Sequence, residues 1–83
     1  MSAFIITFGQ VHRHEHVPNG AGGTVTVDKD SVVCINAKTE IHAYDKANEL
    51  FGDKWSGITN IKDCNSKELL EFFPRGIVAT FKT

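Results

Sequence analysis

The stretch VVCINAKTEIHAYDKANELFG, residues 32–52, changes its period at the middle. Over 32–37, Val33, Ile35 and Ala37 recur at every second position, the spacing of one face of a strand. From Thr39 onward the period becomes helical, with Ala43, Tyr44, Ala47, Leu50 and Phe51 forming one stripe and His42, Asp45, Lys46 and Glu49 the other. Thr39 is an N-cap, Glu40 suits the first turn, and Gly52 supplies the stop. The two alanines allow this helix, about 39–51, to lie close on a sheet, with Tyr44, Leu50 and Phe51 filling the edges. A strand running into a capped amphipathic helix points to an α+β domain.

Working outward, AFIITF (3–8) reads as a strand with two apolar faces, hence a central one, and Gly9 permits a bend after it. Residues 10–17 extend as an arm. Pro18–Gly23 is a turn or loose glycine loop. TVTV (24–27) carries Val25 and Val27 on one face, and the Asp28–Ser31 turn makes it the expected antiparallel hairpin partner of 32–37. Beyond the main helix, Trp55–Ile61 is a short strand or irregular segment. Asn65 or Ser66 caps a second, short helix (66–73), Glu68 stands in capping-box position to Asn65, and Pro74 ends the helix. IVATF (77–81) closes the chain as a strand with Ile77, Ala79 and Phe81 on one face. The order β-β-β-α-β-α-β gives a mainly antiparallel sheet of four to five strands with both helices on one side.

Eighty-three residues hold one core, so 1–83 is a single domain. A chain this short buries about 60–65% of its unfolded surface and is stable by on the order of 5 kcal/mol. Apolar content of 41% with six Phe excludes a disordered chain. A net charge of −1 argues against general nucleic-acid binding, which needs a basic face. The longest apolar run near the start, Ala3–Ile6, is too short for a membrane span or a signal sequence, so a cytoplasmic location is expected. Cys34 and Cys64 are too few for a disulfide framework and read as reduced thiols.

Three of the four histidines, His12, His14 and His16, alternate in VHRHEH (11–16), with Arg13 and Glu15 between them. On a strand the imidazoles share one face at about 7 Å spacing and can converge on a metal such as Zn. His42, Cys64 or a carboxylate would then complete the ligand set, and the spacing does not choose among them. The same imidazoles also serve as contacts to a partner or an anion, or as plain solvated residues of an arm. Gly20-Ala21-Gly22-Gly23 leads into a strand rather than a helix, so neither dinucleotide nor P-loop fingerprint is present. Trp55 is a core plug or the wall of a small pocket. The phenylalanines of FFPRG (72–76) read as core, and Arg75 as a turn cation able to contact a partner or a phosphate. Cys34 and Ser31 have no general base beside them, and Asp28 with Asp30 are turn formers, so no catalytic residue is assigned.

Together ITFGQVHRHEH, ELFGDKW and FFPRGI resemble a group of small bacteriophage proteins that open with a T-F-G-x-x-H segment and carry F-G-x-K-W after their helix. The likeness touches most of the chain with loose spacing. It implies a phage origin and transfers no catalytic residue. It also implies a small non-enzymatic inhibitor that binds a host protein or a host defence system, in the manner of anti-CRISPR proteins. On that reading the contact residues are His12, Arg13, His14, His16, Trp55 and Arg75. Two alternatives stand beside it. One is a sponge for a small phosphate-bearing ligand such as a nucleotide, held by imidazoles and Arg75 within one chain or across a homodimer. The other is a divalent-metal-binding protein or hydrolase built on His12, His14 and His16.

Overall fold

The computed structural model describes residues 2–19 and 22–83. Among these residues six strands and two helices follow in order: β1 (Ser2–Thr7), β2 (His14–Pro18), β3 (Thr24–Val27), β4 (Ser31–Ala37), α1 (Glu40–Phe51), β5 (Gly57–Asn60), α2 (Ser66–Phe72) and β6 (Gly76–Lys82). A short 3-10 turn, Ile61–Asp63, joins β5 to α2. The α+β class and the element order expected from the sequence hold, and the histidine arm adds β2 as a strand of its own.

The main sheet has the order β5-β1-β4-β6 and is mixed. β1 pairs antiparallel with both β4 and β5, whereas β4 and β6 are parallel. β2 and β3 form a separate two-stranded sheet. The expected β3–β4 hairpin is therefore not made. Six of the seven residues of β4 are buried, so this strand needs a neighbour at each edge and cover on each face. The doubly apolar β1 and the closing β6 take its two edges. The one-sided TVTV strand pairs instead with the arm, in the register Val17↔Val25. Between β3 and β4 the chain turns tightly: Ser31 N–H donates to Asp28 O at 3.3 Å, and Asp30 N–H to Asp28 Oδ1 at 3.0 Å.

The helices lie on opposite faces, not on one. Ala43, Ala47 and Phe51 of α1 pack with Phe4, Ile6, Val33, Ile35 and Ala37, and the hairpin adds Val17 and Val27 to this core. On the other face Ile5, Val32 and Cys34 are covered by Leu69 and Phe73, together with Ala3 and Cys64. The topology explains this. β4, β5 and β6 run in the same direction, so β4-α1-β5 and β5-α2-β6 are both crossovers, travelling opposite ways across the sheet. A common right-handedness then requires opposite faces.

Local chemistry fixes the ends. Thr39 Oγ1 accepts from His42 N–H at 3.3 Å, and Asn65 Oδ1 from Lys67 N–H at 2.9 Å. Gly52 stops α1 with φ 63° while its N–H donates to Asn48 O at 2.8 Å. Two expectations of facing change. A bulge between Ile77 and Ala79 breaks the alternation of β6, leaving Ile77 exposed while Ala79 is buried. Phe72 is 72% exposed rather than core, because adjacent helical residues diverge by about 100° and Phe73 takes the inward position.

Candidate functional site

Residues Gly9–Arg13 leave the end of β1 and turn back as the arm. Gly9 has φ 65°, and a Cβ there would stand 3.2 Å from the Ser56 side chain, so glycine lets this turn pass close to the α1–β5 loop. Ser56 N–H donates to Thr7 O at 2.7 Å across the same gap. As a result Val11, His12, Arg13 and His14 line an open cleft of about 520 Å³ together with Lys54, a residue distant in sequence.

His14 anchors the cleft. Its ring stands 5.7 Å from Phe8 and 5.0 Å from Phe51, two rings that are themselves 4.9 Å apart edge to face. Its Nε2 lies 2.7 Å from the carbonyl oxygen of Lys54, so Nε2 carries the proton and donates. His14 is thus half-buried and engaged. His12 precedes β2, and His16 has φ 59° at an irregularity where His14 pairs with Val27 and Val17 with Val25. Three steps along β2 match two along β3. The bulge breaks the period of two on which a shared imidazole face depends. Among the described residues no group of three or more His, Cys, Asp and Glu side chains is placed to hold a metal ion. Arg13 pairs with Glu15 at 3.3 Å, both exposed.

Trp55 continues the surface from Lys54. It packs its body on the core while its indole N–H donates to Asn48 Oδ1 at 3.0 Å, and its ring meets Tyr44 edge to face at 5.1 Å. Tyr44 is about half exposed and Ile41 is 74% exposed, so Tyr44 does not fill the core edge as the helical stripe suggested. Ile41, Tyr44 and Asn48 recur at three and four, a second stripe on α1 beside the buried one. That spacing was the available signal for this exposed stripe. Val11, 84% exposed, had no such signal.

Arg75 is elsewhere and already engaged. Its Nη1 donates to Asp28 Oδ2 at 3.2 Å and its backbone N–H to Asp30 O at 2.9 Å, tying the α2–β6 turn to the β3–β4 turn. The glycine loop expected to cradle a phosphate includes Gly20 and Ala21, which lie outside the described residues. Asn19 N–H and Gly23 O close its base at 3.0 Å. Both cysteines are free, with Cys34 buried and Cys64 half-buried. Burial pushes the Cys34 thiol pKa up, which holds it as an unreactive thiol. No helix among the described residues is long and apolar enough to cross a membrane. Comparison with family models, with curated proteins and with solved structures finds no match.

Proposed function

We propose that this chain acts by binding, as a small inhibitor that covers a surface of a host protein and carries out no chemistry of its own. The observation that carries the reading is the Tyr44–Trp55 pair, with centroids 5.1 Å apart, beside the cleft of His12, Arg13 and Lys54. Partly exposed aromatics next to cations are the composition of interface anchors, where tyrosine, tryptophan and arginine carry most of the energy. The pair is also pre-ordered, since Asn48 holds the indole, so little side-chain entropy is lost on docking. Exposed Ile41 and Val11 extend the apolar contact. The phage origin and a host defence system as target rest on the likeness of ITFGQVHRHEH, ELFGDKW and FFPRGI to small phage proteins.

A photoreactive side chain introduced at Ile41 tests this in host lysate. One host protein should be labelled, and its purified form should lose activity at stoichiometric inhibitor. Trp55→Ala and Tyr44→Ala should each weaken capture at least about tenfold, the loss of roughly 1.4 kcal/mol, while far-ultraviolet circular dichroism stays the same. Labelling that survives both substitutions would remove the surface from consideration.

A second reading keeps one observation of its own. Arg13, Lys54 and His12 around an open cleft of about 520 Å³ suit a small phosphate-bearing ligand. A nucleotide at a hundredfold excess over its Kd should stabilise the fold by about 2.7 kcal/mol, which a thermal-shift screen resolves.

A further inference from the structure

The opposite face of the sheet carries a second surface. α2 is only seven residues long and buries none of them fully. Leu69 and Phe73 point to the sheet, but Phe72 is 72% exposed and Leu70 56%. Leu70 reaches over the start of β6, its Cδ2 3.3 Å from where a Cβ on Gly76 would stand, and the next residue, Ile77, is 43% exposed. Phe72 also forms one wall of a groove of about 170 Å³, lined besides by Asp63, Cys64, Asn65, Glu68, Leu69 and Phe73. Its wall is mainly apolar, and its two charged lining groups are both carboxylates. Among the described residues neither Asp63 nor Glu68 makes an ion pair, nor does neighbouring Glu71. Lys62 and Lys67 belong to the same segment but do not line the groove.

We infer that this groove docks a segment of another protein in which an apolar side chain is flanked by lysine or arginine. An exposed cluster of large apolar side chains marks an interaction surface, and unpaired carboxylates on its rim select the sign of the partner. The same carboxylates disfavour the other occupants. A symmetric pairing of two copies through this face would gather the carboxylates of Asp63, Glu68 and Glu71 from both copies into one interface. Phosphate backbones and anionic membrane surfaces carry the wrong charge. The groove lies across the sheet from Tyr44 and Trp55, so the inference stands apart from the function proposed above, and a chain with both surfaces bridges two partners.

The probe is a short synthetic peptide of leucines flanked by lysines. Its controls are the glutamate counterpart and a counterpart with leucine replaced by alanine, each titrated into isotope-labelled protein. The leucine–lysine peptide should give saturable shifts at the amides of Asp63, Cys64, Glu68 and Phe72, and its Kd should rise with salt. Glu68→Lys and, separately, Phe72→Ser should each raise that Kd at least about tenfold, a change of roughly 1.4 kcal/mol. Phe72 is exposed, so the second variant folds, and its melting curve serves as the control. Equal binding of either control peptide, shifts centred on the arm, no binding, or the same amides shifting on simple dilution of the free protein would each overturn the inference.

Discussion

His14 Nε2 lies 2.7 Å from the carbonyl oxygen of Lys54, joining the arm to the loop after α1. The contact makes one imidazole of the alternating set structural. His14→Ala removes this hydrogen bond and the ring contacts to Phe8 and Phe51, and should cost about 1–3 kcal/mol in urea unfolding. Among the described residues His12 makes no hydrogen bond or ring contact, and His12→Ala should change stability by less than about 0.5 kcal/mol. Equal losses at the two positions would contradict the anchoring role.

His16 adopts φ 59° at the bulge of β2. A β-branched side chain is strained there, so His16→Val should destabilise by about 1–2 kcal/mol. His16→Gly should be neutral or mildly stabilising, because relief of strain offsets the greater freedom of the unfolded chain. Paired chemical denaturation curves check the order of the two variants.

Zinc added at stoichiometry should leave the melting temperature unchanged. The bulge takes the imidazoles off a common face, and His14 already donates through Nε2. Calorimetry with zinc, and elemental analysis of the purified protein, decide this. Bound metal at one equivalent with a raised melting temperature would support the metal-site reading instead.

Cys34 sits in β4 against Ile5 and Val32, and burial raises its pKa. An acid whose folded pKa is raised keeps its proton longer in the folded state. Stability is therefore full below the unfolded thiol pKa, about 8.5, and declines as pH rises above it. Cys34→Ala should lower stability overall yet flatten the slope above about pH 8.5. In the native protein an alkylating reagent should modify half-buried Cys64 first, with mass spectrometry giving the order.

The sequence by itself determined most of the elements and their ends. The capped, glycine-terminated helix after Thr39, the doubly apolar first strand, the Asn65 cap and the one-sided TVTV strand are encoded in neighbouring residues. Their signals are periodicity and cap chemistry, which act over a few positions. The exposed stripe of α1 on which the proposal rests was half legible, since Ile41, Tyr44 and Asn48 repeat at helical spacing beside the stripe of Ala43 and Ala47. What only the tertiary structure decided was partnership and facing. β3 pairs with the arm because β4 must be enclosed on all sides. α2 crosses to the far face because the two crossovers travel in opposite directions. One extra residue between His14 and Val17 turns a row of imidazoles into one anchor and two outliers. These outcomes depend on which distant segments compete for the same apolar surface, and a local pattern carries no record of that competition.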